Sequence, residues 1–189
     1  MAKSETLDTN QKLVKAFKEV LMRKDFKDIR IKDITDEAGL FRATFYTYFP
    51  DKYAMFDEIL YTELFSIVES LAQTNMLRQS IEFIFNYFLS NRDFYRRAFE
   101  YTGPESCHDA LKKLLNSYFE EIAKNRNPQI KPEYAAGIKK GDFSRFSAEL
   151  FYVAIIYVAE SNLPEAEITA QADNFMLFFQ AGMQPFLEQ

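Results

Sequence analysis

Apolar residues recur at helical spacing from near the start of the chain. Leu13, Phe17, Val20 and Leu21 share one face, with Lys12, Lys15, Lys18 and Glu19 on the other, which predicts an amphipathic helix over 9–24 capped by Asp8 or Thr9. The charged connector Asp25 to Arg30 can turn Phe26 and Ile29 inward. Ile31, Ile34 and Ala38 predict a short second helix over 31–38, and Gly39 stops it where the backbone needs positive φ. A third short helix over 42–49 places Phe45 and Phe49 one turn apart. Pro50 ends it, and Asp51 caps a helix from Lys52 to about Gln73. Two short helices joined by a tight glycine turn are the signature of a helix-turn-helix unit.

Beyond residue 75 the pattern stays helical, with segments near 76–90, 92–101, 105–125, 133–140, 145–161 and 165–187. Breaks fall at Asn91, Gly103-Pro104, Asn125 to Pro132, Gly141-Asp142 and Asn162 to Pro164. No alternating run is long enough for a convincing strand, so the fold class is all-α. The expected division is a three-helix head over 1–52 and a larger helical body over 53–189, linked by the helix 52–73.

Composition sharpens this outline. Twenty Phe and eleven Tyr with no Trp imply a large core or an apolar cavity. A single Cys and a single His exclude a disulfide framework and a His/Cys metal cluster within one subunit, so no metal or cofactor is expected. Catalysis needs a convergent acid, base or nucleophile set, and none is visible, so no catalytic residue is assigned. The longest apolar run, Leu150 to Ala159, is too short to span a bilayer, and the N-terminal ten residues lack a signal-peptide core. The expectation is a cytoplasmic protein without a membrane partner. The formal charge of −5 argues against nucleic acid until the chain is divided. Residues 1–52 hold 11 Lys/Arg against 9 Asp/Glu, and the remainder 12 against 19, so any DNA contact belongs to the head.

The segment IKDITDEAGLFRATFYTYFPDKYAMFDEIL, residues 31–60, resembles the DNA-binding head of TetR-family transcriptional regulators. The elements that carry the likeness are Ile31-Lys32-Asp33-Ile34, Ala38-Gly39, Thr44-Phe45-Tyr46, Tyr48-Phe49 and Lys52, and with the preceding helix the resemblance covers 9–60. It implies a dimer on a palindromic double-stranded DNA operator, with helix 42–49 in the major groove. Arg42, Ala43, Thr44 and Thr47 are then the base-contact candidates. Arg30, Lys32, Tyr46, Tyr48 and Lys52 are candidates for phosphate, with Tyr46 equally able to point inward. Ile34, Ala38, Phe45 and Phe49 are assigned to packing. The chain departs from the family pattern at Arg30 and Phe41, where a Ser, Thr or Asn commonly caps each short helix. Arg30 offers another phosphate contact, and Phe41 either staples the turn or projects toward thymine methyl groups.

For the body, the resemblance implies ligand binding and dimerisation. Phe83, Tyr87, Phe88, Phe99, Tyr101, Tyr118 and Phe119 are candidates to line a cavity for a small apolar or aromatic effector, the alternative being a tight aromatic core. Helix 145–161 is apolar around much of its circumference and so must be covered on more than one side. A homodimer interface over Phe146, Leu150, Val153, Ile156 and Tyr157, with Phe175, Phe179 and Met183 from the last helix, answers that need. The reading is a ligand-responsive one-component regulator, in the first instance a repressor. The alternative is a helical regulator that works through a protein partner or activates with a co-activator.

Overall fold

The computed structural model describes residues 2–74, 76–126, 131–135, 137, 139–162 and 164–183, and is helical throughout with no strand among the described residues. The helices are α1 (Ala2–Leu21), α2 (Ile31–Ala38), α3 (Arg42–Tyr48), α4 (Lys52–Leu60), α5 (Ser66–Gln73), α6 (Leu77–Ser90), α7 (Arg92–Phe99), α8 (Cys107–Arg126), α9 (Pro132–Ala135), α10 (Lys140–Glu160) and α11 (Ile168–Met183). Among the described residues no helix is long and apolar enough to cross a membrane. The long helix expected over 52–73 is present as α4 and α5 joined by a π-helical stretch, Tyr61–Phe65. Gly141 does not break the chain as its type suggests. It occupies the first turn of α10, because the Lys139 amide donates to the Asp142 carboxylate (2.8 Å) and starts the helix there.

The chain folds as two compact units that do not follow the sequence-based division at residue 52. The first comprises residues 1–63 and 91–110, the second 64–90 and 111–189. The reason lies in the rings. In the first unit Phe17 of α1 meets Phe26, Phe56 and Phe94 edge-on at 6.2–6.4 Å, and Phe56 stacks on Phe94. Tyr101 stacks on Phe26 at 5.3 Å. The head buries its three-helix core under α7 and the segment that follows it. Burial of these four rings together is a large apolar contribution to the unit. Two ion pairs, Lys24 to Asp33 (2.7 Å) and Arg23 to Glu37, tie the end of α1 to α2.

The second unit is built on α6, which packs against α5, α10 and α11. Ile81, Ile84, Phe85 and Phe88 are its buried face. Phe119, Phe151, Phe175 and Phe179 form a continuous ring cluster, with centroids as close as 4.6 Å between Phe151 and Phe175. Arg78 at the start of α6 is paired with Asp173 of α11 at 2.6 Å.

The first two turns of the helix-turn-helix show how local chemistry sets this geometry. Arg30 at the N-cap of α2 makes no side-chain cap, but its own amide donates to the Asp33 carboxylate at 2.7 Å. The Lys24 ammonium, and then that amide, hold the Asp33 pKa below its ordinary value of 3.8. The stabilisation is therefore present above that value and is lost as pH falls through the lowered folded pKa. Asp33→Ala should lower head stability by roughly 1 kcal/mol at neutral pH. The melting-temperature difference between variant and wild type should shrink toward zero as the pH falls through the lowered pKa of Asp33, and a difference independent of pH would contradict it.

Candidate nucleic-acid interface

The site is built from α2, the turn and α3. α2 ends at Gly39, which is left-handed (φ 66°, ψ 33°), and the Leu40 amide reaches back to the Thr35 carbonyl at 2.9 Å. A glycine is needed there because a Cβ disfavours that backbone conformation by roughly 1–2 kcal/mol. The turn directs α3 away from α2, with Ile34, Phe45 and Phe49 buried beneath it and Ala38 half-buried.

On the outer side of α3, Arg42, Ala43, Tyr46 and Thr47 are exposed, and Thr44 and Tyr48 are half-buried. The Arg42 guanidinium donates to the Tyr46 hydroxyl at 2.9 Å and lies over its ring, 5.5 Å from the centroid. Tyr46 therefore points outward and pre-orients the arginine one turn before it, which reduces the rotamer freedom lost when the guanidinium is fixed. Thr47 donates its hydroxyl to the Ala43 carbonyl at 3.2 Å, so its methyl is the group left toward solvent. Arg30 and Lys32 are both exposed at the start of α2, Lys32 at 4.0 Å from Asp36. This arrangement offers a guanidinium, small side chains and methyl groups on one face of α3, with two exposed cations at the start of α2.

Lys52 requires correction. It was expected to grip phosphate, but only 7% of it is exposed. Its ammonium donates to the carbonyls of Phe26 (2.6 Å), Lys27 (3.1 Å) and Ile29 (3.0 Å), and sits over the rings of Phe26 and Tyr53. All three of its protons are used, so it has none for DNA. Burial pushes its pKa below the usual lysine value. Lys52 instead holds the connector between α1 and α2, while Asp51 caps α4 by accepting from the amides of Tyr53 and Ala54.

Two further groups differ from expectation. Phe99 and Tyr101 were assigned to a body cavity, but both belong to the first unit. Tyr101 stacks on Phe26 and donates to the Pro104 carbonyl at 3.1 Å, and Phe99 stacks on His108 at 4.9 Å. Phe83, Tyr87, Phe88, Tyr118 and Phe119 do lie in the second unit, where Phe88, Tyr118 and Phe119 are buried. On the last helices, Phe146, Val153 and Tyr157 are exposed along α10, and Leu150 and Ile156 are half-buried. Phe175 and Phe179, expected at an outer face, are instead drawn into the ring cluster with Phe151. The outward apolar residues of α11 are Leu177 and Phe178, 69% and 65% exposed, which the sequence reading missed. Their phase relative to Phe175 and Phe179 was the available signal. The side chain of Met183 lies outside the described residues.

Residues 13–59 match the family model for bacterial regulatory proteins of the tetR family, and residues 75–158 match a transcriptional regulator C-terminal region. Among solved structures, the dihydroxyacetone kinase operon activator DhaS is similar with a TM-score of 0.67 at 15% identity, over 95% of this chain and 98% of that one. NalD, the secondary repressor of the MexAB-OprM multidrug efflux pump in Pseudomonas aeruginosa, gives 0.62 at 16% identity, over 96% and 98%. Thermus thermophilus FadR, a transcriptional repressor solved in complex with lauroyl-CoA, gives 0.60 at 20% identity, over 92% and 94%. At these identities the likeness is one of fold. A comparison with curated protein sequences finds no match.

The role of Lys52 is tested by Lys52→Met, which removes the donor from three carbonyls, at least two of them in buried bonds. Stability should fall by about 2–4 kcal/mol. Where the variant is still folded, the dependence of DNA affinity on salt should keep its wild-type slope, whereas loss of a phosphate contact lowers it by about one unit.

Proposed function

Because the chain belongs to the TetR family of bacterial regulatory proteins and is a non-enzymatic transcription regulator, we propose that it is a ligand-responsive repressor acting in the cytoplasm, which binds a palindromic operator as a homodimer. The observation that carries the reading is the outward face of α3, where Arg42, Ala43, Tyr46 and Thr47 are presented together beside Arg30 and Lys32. Arg42 reads guanine, Ala43, Thr44 and Thr47 allow close approach and meet methyl groups, and Arg30, Lys32, Tyr46 and Tyr48 hold phosphate. A palindrome follows from two-fold symmetry of the protein.

The dimer reading is supported by α10 and α11. Phe146, Leu150, Val153 and Tyr157 recur along one line of α10 while Phe151, Ile155 and Val158 fill the opposite, buried side. Leu177 and Phe178 extend the exposed apolar surface. Exposed residues of this size are covered by a second copy in an isologous four-helix contact. The effector is a small apolar or aromatic molecule, received in the second unit among Phe83, Tyr87, Phe88, Tyr118 and Phe119. A neighbour was solved with lauroyl-CoA, whose acyl chain is apolar although its CoA part is charged. Such a ligand acts only through unequal affinity for the operator-competent and released states.

Repression requires operator occupancy alone. Activation additionally needs a partner protein or a surface that engages polymerase, and the neighbour described as an operon activator favours that second reading. Deleting the gene raises expression of its target under the first reading and lowers it under the second.

The operator reading is tested by selecting DNA from a random library with the full-length protein. A two-fold symmetric site should emerge, and Arg42→Ala should weaken its binding by about 1–3 kcal/mol and relax base choice at one position per half-site. Recovery of no preferred sequence would reject the reading. For the dimer, Val153→Asp or Leu177→Asp should sediment as folded monomer and lose operator affinity by about a hundredfold or more. A wild-type protein that is monomeric at micromolar concentration would overturn it. An effector should raise the melting temperature and weaken operator binding together, since linkage is reciprocal.

A further inference from the structure

Phe41 stands at the turn, immediately before α3, and 84% of it is exposed, more than any other large apolar residue described. It does not staple the turn: its ring makes no such burial, and its backbone is extended (φ −80°, ψ 147°) as at an N-cap. At that position a Ser, Thr, Asp or Asn oxygen bonds an otherwise open amide of the first turn, and Phe41 supplies no side-chain bond. The residue is thus doubly unfavourable for the fold, since it forgoes a cap and leaves a ring in water. Such departures from local preference concentrate where a side chain serves recognition. Its neighbours in sequence on α3 are the exposed Arg42 and Ala43, and the cations Arg30 and Lys32 flank the same helix-turn-helix face. On the operator-binding reading, an exposed ring at the entry to α3 meets an apolar group in the major groove, and the only apolar group that major-groove base edges present is the 5-methyl of thymine.

We propose that Phe41 is a specificity-determining residue that reads a thymine methyl group in each operator half-site. The inference rests on the operator-binding reading above. It assigns sequence information to the turn as well as to α3.

The test uses the full-length protein and the operator selected from the random library, with each thymine replaced in turn by deoxyuridine, which lacks only the methyl. Replacement at one symmetric pair of positions should weaken wild-type binding by about three- to fourfold per half-site, the effect of withdrawing one buried methyl. Phe41→Ser should bind the thymine and uracil operators equally, and Phe41→Leu should retain most of the discrimination. Phe41→Ser should also melt no lower than wild type, because it regains a cap, so loss of discrimination is not loss of folding. Two results would overturn the proposal: no thymine whose methyl matters to the wild type, or an equal uracil penalty in wild type and Phe41→Ser. If the library yields no preferred sequence, the operator reading fails first and this inference falls with it, an outcome distinct from a symmetric operator that is indifferent to its methyl groups.

Discussion

The recognition surface depends on one buried cation. The Lys52 ammonium takes three carbonyls of the 26–29 connector, the last of them at Ile29, one residue before the N-cap of α2. A short connector between helices has several backbone oxygens without helical partners, and burying them unpaired is unfavourable by about 1–3 kcal/mol each. One ammonium with three protons answers those of Lys27 and Ile29 and shares that of Phe26 with the Ile29 amide, and its own burial is tolerated because none of those protons is left without an acceptor. The entry angle of α2, and through Gly39 the direction of α3, are set from this point. Replacing the lysine with an apolar residue of similar length satisfies the packing of Phe26 and Tyr53 but abandons the carbonyls. The charge is structural, and its position in the sequence disguises it as a DNA contact.

Around that anchor, aromatic rings explain why the units divide as they do. A ring brings a large apolar area with few rotatable bonds, so an edge-on or stacked neighbour is gained at little entropic loss. Phe17, Phe26, Phe56 and Phe94 form one network and Phe119, Phe151, Phe175 and Phe179 another. Eight of the twenty Phe fall in these two networks. Segment 91–110 joins the first unit because Phe94 and Tyr101 find ring partners there, although the chain reaches it only after two further helices.

Much of this was legible in the sequence. Helices α2 and α3 and the glycine between them follow from Ile31, Ile34, Ala38, Gly39, Phe45 and Pro50, because the signals are local: period, turn residue and stop. The outward face of α3 follows as the complement of Phe45 and Phe49. What periodicity does not reveal is which of two apolar faces turns inward when a helix has both. On α11 that choice fell on Phe175 and Phe179, leaving Leu177 and Phe178 outside, and it depended on Phe151 and Phe85 across the unit. The fate of Lys52 was hidden for the same reason. Its partners are backbone oxygens more than twenty residues away, and backbone oxygens leave no mark in a sequence.

Electrostatics set the terms on which this surface meets DNA. The first unit as a whole is not basic: residues 1–63 and 91–110 together hold 14 Lys/Arg against 16 Asp/Glu. Lys24 and Arg23 are engaged by Asp33 and Glu37, and Lys52 is buried. The cations exposed on the helix-turn-helix face reduce to Arg30, Lys32 and Arg42, the last already held on Tyr46. Non-specific affinity grows with the number of phosphates neutralised, so three exposed cations, with Lys32 beside Asp36 and Arg42 held on Tyr46, give weak attraction to arbitrary DNA. On the proposed operator reading, discrimination between an operator and the surrounding chromosome is then governed by contacts to base edges. In that regime an exposed ring beside α3 matters more than it does on a strongly basic head, because a single methyl contact is a larger share of the binding free energy.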